Sequence, residues 1–168
     1  MPAQLTPKWQ PFALNDTETY QDWVSVPDSM TRAIADTLGR QPEVTIRLEG
    51  PSRPNVLERR LLALGTGSRV QTREISLSVA GQSVLIARSI TPMKSAVVPQ
   101  LKGLGRKPLA ELLFQDPRWQ RQRRPLAIHC ANTALPGRAC VWEYQGRRRG
   151  RLLVEEYFLP VLLARSPV

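Results

Sequence analysis

The stretch Val70-Gln71-Thr72-Arg73-Glu74-Ile75-Ser76-Leu77-Ser78-Val79-Ala80-Gly81-Gln82-Ser83-Val84-Leu85-Ile86-Ala87-Arg88-Ser89-Ile90 decides how this chain folds. Two runs of alternating apolar and polar residues flank Ala80-Gly81, a two-residue turn signal. Alternation with a period of two on either side of such a turn predicts an antiparallel hairpin, Val70–Val79 with Ser83–Ile90, which Pro92 ends. A strand precedes it at Glu43–Glu49, where Val44, Ile46 and Leu48 alternate with Thr45 and Arg47. Three more follow near 124–131, 138–145 and 151–159. Helices gather in two places. Asp28 is a good N-cap for a short helix that Gly39 stops, and Pro108 sits at the first helical position of another within 95–115. Val56–Leu64 reads as a helical turn. Six strands with grouped helices, not a βαβ alternation, predict an α+β fold: a single domain over 1–168, with a six-stranded antiparallel sheet and helices on one face. An all-β fold with helical insertions competes. Residues 1–17 read as an irregular N-terminal segment, and nothing before residue 26 shows a regular pattern. Trp9, Phe12, Tyr20 and Trp23 are expected anchors there.

Composition narrows the function classes. The 168 residues suit one core, and 42% hydrophobic content argues against disorder. One histidine, His129, and two cysteines, Cys130 and Cys140, cannot supply a Cys/His metal site or a disulfide scaffold, so no metal and free thiols are expected. No Walker or Rossmann glycine loop is present, and no cofactor is expected. No apolar run of membrane-spanning length occurs, and Met1 to Phe12 lack a signal-peptide core, so a cytoplasmic chain without stable membrane insertion is the expectation. The net charge of +10 is uneven: residues 1–100 carry 11 basic and 9 acidic side chains, residues 101–168 carry 13 and 5. Such a skew fits a nucleic-acid surface, a membrane-surface patch, a field for small anions, or simply a solvated arginine-rich face. Arg118-Trp119-Gln120-Arg121-Gln122-Arg123-Arg124 could stack on bases, and Arg147-Arg148-Arg149-Gly150-Arg151 could grip phosphates. The expectation is nonetheless a monomer acting on a small molecule, with no nucleic-acid partner.

The sharper signal is charge that falls out of phase. Residues two apart in a strand share a face. Arg73 then lies with Ile75, Leu77 and Val79; Arg88 with Val84, Ile86 and Ile90; Glu156 with Leu152, Val154 and Phe158. If those faces form one core, two arginines and a glutamate converge inside it. A buried ion pair is one reading. A site for a small carboxylate is the other, because the planar guanidinium pairs with a carboxylate bidentately.

Five pieces, in order and spaced over about 18–162, resemble the chorismate–pyruvate lyases that make 4-hydroxybenzoate for ubiquinone synthesis. They are Asp28-Ser29-Met30-Thr31; Arg73-Glu74-Ile75; Ala87-Arg88-Ser89-Ile90-Thr91-Pro92; Leu104-Gly105-Arg106-Lys107-Pro108-Leu109 ahead of Leu113-Phe114; and Glu156-Tyr157-Phe158-Leu159-Pro160. The resemblance implies helical flaps over an enclosed site, and a cofactor-free elimination with chorismate as substrate and 4-hydroxybenzoate as product. It implies ligand contacts at Met30, Arg73, Leu109 and Glu156, with Arg73 on the ring carboxylate, Glu156 facing the ring hydroxyl, and Met30 and Leu109 acting through backbone groups. Arg88, from strand phase alone, is expected on the enolpyruvyl carboxylate. A small-aromatic-acid sensing domain of the same fold and a basic nucleic-acid-binding module are the alternatives. The chain departs from the family pattern in Thr45-Ile46-Arg47-Leu48-Glu49-Gly50, in the long basic turn before residue 150, and over 117–138.

Overall fold

The computed structural model describes residues 7–8 and 18–168, with side chains from Tyr20 onward. In chain order the elements are β1 (Pro7–Lys8), α1 (Glu18–Ser25), α2 (Met30–Leu38), β2 (Glu43–Ser52), α3 (Val56–Leu61), β3 (Val70–Val79), β4 (Gln82–Pro92), α4 (Val98–Lys102), α5 (Leu109–Gln115), β5 (Trp119–Arg121), β6 (Leu126–Cys130), β7 (Pro136–Tyr144), β8 (Gly150–Phe158) and α6 (Pro160–Leu163). The sheet is antiparallel throughout, in the order β1-β6-β7-β8-β4-β3-β2, and β5 shares the β7 edge with β6. The six expected strands are its six long ones. β1 and β5 are short additions.

The hairpin at the centre closes as its sequence requires. Ala80 and Gly81 both have positive φ, 50° and 77°, the signature of a turn whose twist matches the flanking strands. Ser29, not the expected Asp28, caps α2: its Oγ accepts from the Arg32 N–H at 3.2 Å. Gly39 ends that helix in the left-handed region, as expected. Pro108 stands just ahead of α5, which starts at Leu109.

Two expectations need correction. The stretch before residue 26 is not irregular throughout. Tyr20, Trp23 and Val24 repeat at helical spacing, and their burial against β4 and β8 makes Glu18–Ser25 a helix. The Tyr20 hydroxyl donates to the Gly137 carbonyl at 2.9 Å and locks α1 onto β7. Pro7–Lys8 pairs with Cys130 and His129 at the sheet edge; Trp9 and Phe12 lie outside the described residues. Helices also cover both faces of the sheet. On the front, α1, α2 and α6 pack on Ile75, Leu77, Leu85, Ala87 and Phe158, while α4 and α5 pack on Cys140, Trp142, Leu152 and Val154. On the back, Leu57, Leu61 and Leu62 at α3 meet Ile90, Leu153 and Tyr157. With both faces covered, residues of both parities are buried: Val70 to Ile75 without a break, and Leu152 to Glu155 likewise.

Candidate active site

Cross-strand partners share a face, so the register sets the chemistry of the front. One row runs Arg73, Ser89, Val154, Cys140; the next runs Ile75, Ala87, Glu156, Arg138. A largely enclosed pocket stands on these rows. Its floor includes Ser89, Val154 and Glu156, its roof is Met30 and Thr31 from α2 with Leu109 and Leu113 from α5, and Arg138 and Arg121 line it toward β7.

Glu156 does not stand alone. Arg138 Nε donates to Glu156 Oε2 at 2.6 Å, and Arg138 Nη1 donates to the carbonyls of Val26 at 2.6 Å and Val24 at 3.4 Å. Arg138 is 3% exposed. Burial works against its charge, but the Glu156 carboxylate outweighs that and holds the guanidinium even more firmly protonated than usual. The pair leaves one carboxylate oxygen of Glu156 outside this bond. Gly137 makes the close approach possible, since a Cβ there would run into the Glu156 carbonyl oxygen. The Cys140 thiol beside them is pushed up to about 11 by burial; it is a neutral, apolar lining group and no nucleophile at physiological pH.

Arg73 is in the opposite condition. It is 1% exposed, and among the described residues no carboxylate comes within salt-bridge distance. Its Nη2 donates to the carbonyls of Gly105 at 2.8 Å and Lys107 at 3.0 Å, and its Nε has no partner. Burial lowers its pKa, with Glu49 across the strand pair acting the other way; an arginine stays charged under such a shift. A buried cation held only by carbonyls of the loop preceding α5 is costly unless an anion joins it.

Arg88 is on the other side of the sheet. The register sets it opposite Glu74 and Glu155, where its Nε donates to Glu58 Oε1 at 2.6 Å and its Nη1 to Glu74 Oε1 at 2.7 Å. These carboxylates raise its pKa despite burial. The expectation that Arg88 holds an enolpyruvyl carboxylate is therefore corrected. Phase alone could not tell its face from that of Arg73, because apolar residues of both parities are buried in β3 and β4. The arginine that shares the front face with Glu156 is Arg138, on β7. The phase test applied to 138–145 would have found it, since Arg138 alternates with Cys140 and Trp142.

The back-face cluster makes a prediction about stability. Glu155 is fully enclosed; burial and Glu58 push its pKa well above the usual carboxylate range, with Arg88 and the Tyr157 hydroxyl opposing. A carboxyl that binds its proton more tightly folded than unfolded supports the fold fully below the unfolded value of about 4.3, and that support fades as pH rises. Glu155→Gln should thus gain on wild type with increasing pH. The difference in unfolding free energy widens from pH 5 to pH 8, with a limiting slope of about 1.4 kcal/mol per pH unit, and the melting temperatures diverge with it; a pH-independent difference would contradict the assignment.

The sequence profile of the family described as chorismate lyase matches residues 7–168. This chain belongs to the chorismate lyase family. It is 36% identical over 162 residues to the probable chorismate pyruvate-lyase of Azoarcus sp., covering 84% of each chain. To that of Chromohalobacter salexigens it is 31% identical over 170 residues, covering 94% of this chain and 91% of the relative. Among solved structures, the C-terminal domain of the histidine utilization repressor from Pseudomonas syringae superposes with a TM-score of 0.50 at 13% identity, covering 72% of this chain and 93% of that one. The effector-binding domain of the Bacillus subtilis trehalose repressor gives 0.50 at 14%, covering 69% and 89%. At such identities the likeness is one of fold.

Within this chorismate lyase fold, Met30 and Leu109 are the first residues of α2 and α5, and both sit in the pocket roof. Backbone N–H groups in the first turn of a helix have no partner within it. Arg73 and Glu156 share the front face as strand phase predicts. The arginine-rich stretch is built differently from a base-stacking surface: Trp119 is 4% exposed and packed in the core, and Arg118 is tied by its Nε and Nη2 to Asp116. Arg147, Arg148 and Arg149 are exposed at the β7–β8 turn.

Proposed function

We propose that this protein is a chorismate lyase that eliminates pyruvate from chorismate, releasing 4-hydroxybenzoate as the first step toward ubiquinone. The observation that carries the reading is Arg73: a buried guanidinium with no carboxylate partner, beside a pocket that also holds a carboxylate on an arginine. A ring carboxylate on Arg73 supplies the missing anion through charge-assisted hydrogen bonds. The hydroxyl at the far end of the ring donates to the free oxygen of Glu156, which Arg138 holds in place. Met30 and Leu109 offer backbone N–H groups from the roof, and apolar lining residues such as Ile75, Ala87 and Val154 take the ring.

In the reaction the ether C–O bond to the ring breaks, and the ring carbon bearing the hydroxyl loses its hydrogen as a proton. The electron pair of that C–H bond completes the aromatic ring. The enolpyruvyl fragment gains the proton on its methylene carbon and leaves as pyruvate. The step is redox-neutral and the atoms balance. Aromatisation supplies the driving force, so positioning and electrostatics suffice. Glu156 polarises the hydroxyl-bearing carbon through its hydrogen bond, and Arg73 fixes the ring. Because Met30, Leu109 and Leu113 are buried in the roof, product leaves only when α2, or α5 with the Gly103–Lys107 loop, lifts.

The direct test is incubation of the purified protein with chorismate while 4-hydroxybenzoate and pyruvate are followed. Equimolar products are expected. Their absence from a folded sample would overturn the reading. The location proposed for the reaction is the cytoplasm; among the described residues no helix is long and apolar enough to cross a membrane.

A further inference from the structure

Besides Arg138, the pocket is lined by a second arginine that neither the elimination chemistry nor strand phase assigned. Arg121, the last residue of β5, lines the same cavity as Glu156 and Arg138. Its guanidinium lies 5.1 Å from the centre of the Trp142 ring, and its Nη2 donates to the Pro27 carbonyl at 2.8 Å. Its Nε is buried and has no hydrogen-bond partner. No carboxylate pairs with it among the described residues, whereas Arg118, three positions earlier, is closed off by Asp116.

The charges around the cavity leave Arg121 a specific task. Chorismate carries two carboxylates on different arms, and the proposed site uses Arg73 for one. Arg138 is committed to Glu156 and to the carbonyls of Val24 and Val26. Arg88 is on the back face. Arg121 is the remaining cation lining the pocket, and it flanks the pocket opposite Arg73: β4, β8 and β7 lie between β3, which bears Arg73, and β5. Trp142 holds its planar group from one face, and an arginine with a free Nε–H can present that edge to a carboxylate oxygen. A buried N–H without an acceptor is unfavourable until such an oxygen arrives.

We infer that Arg121 binds the enolpyruvyl carboxylate of the substrate. The inference rests on the chorismate lyase reading and deepens it. The contact exists with substrate and is lost once pyruvate departs, so Arg121 distinguishes substrate from product: it strengthens chorismate binding without strengthening retention of 4-hydroxybenzoate.

The experiment compares Arg121→Ala and Arg121→Lys with wild type in steady-state turnover of chorismate and in binding of 4-hydroxybenzoate, with a melting temperature for each. For Arg121→Ala, KM for chorismate should rise by about 10- to 100-fold, while the dissociation constant of 4-hydroxybenzoate changes by less than about threefold. Arg121→Lys keeps the charge and should recover part of the KM. If Arg121 only props the Pro27 carbonyl and hence α2, both ligands weaken together. That outcome, or an unchanged KM in both variants, overturns the inference while wild-type turnover keeps the lyase reading intact. A wild-type protein that does not turn over chorismate removes both, and is told apart by that control. If Arg121→Ala does not fold, the lysine variant decides by the same comparison of KM against product affinity.

Discussion

Arg73→Ala is expected to abolish measurable turnover and to weaken 4-hydroxybenzoate binding by about 30- to 5,000-fold. Removing one partner of a buried, hydrogen-bonded charge pair costs about 2–5 kcal/mol, and the ring carboxylate would be left desolvated with no cation. Both product affinity, read by titration calorimetry, and the rate of pyruvate release should fall together, because substrate and product share that carboxylate. The same substitution frees the Gly105 and Lys107 carbonyls, which Arg73 now holds at 2.8 and 3.0 Å. Arg73→Lys separates the two effects. A lysine keeps the charge but lacks the fork, so it should retain the closed loop better than it retains bidentate ligand binding. Product affinity in Arg73→Ala equal to wild type would show that this buried cation has no ligand.

Glu156→Gln should divide the two ligand states instead. The amide oxygen can still accept from the ring hydroxyl, so 4-hydroxybenzoate affinity should stay within about tenfold of wild type. Turnover should fall by about 10²- to 10³-fold, the range expected when a preorganised polar group aimed at the reacting centre is lost. Arg138 keeps its bonds to Val24 and Val26 in this variant, so the fold should survive and the melting temperature should drop by only a few degrees. Unchanged kcat would remove Glu156 from the chemistry and leave Arg138 as a purely structural cation.

Much of the fold was legible because it depends on local signals. The Ala80-Gly81 turn, the alternation on either side of it and the Gly39 stop of α2 are each written within a few neighbouring residues. β5 was not visible, because three residues carry no period and the pairing with β7 exists only once both strands are placed. Glu18–Ser25 was missed as a helix for a related reason: the Tyr20, Trp23 and Val24 face becomes evident only against the sheet it covers.

For the site, the amino-acid sequence by itself determined that charged residues sit among apolar ones in the strands, and that Arg73 and Glu156 belong to the lyase-like motifs. The tertiary structure decided which of those charges meet. A strand's period of two says which residues share a face but not which face looks at which layer. When helices cover both sides of a sheet, burial does not break the tie. Register across four strands broke it, placing Arg73 and Glu156 in the front rows with Arg138 and sending Arg88 to Glu58 and Glu74 behind. Arg121 shows the same limit from the other side. In the sequence it is one of several arginines in a basic run; only the pairing of β5 with β7 takes it out of that run and sets its unpartnered Nε at the pocket.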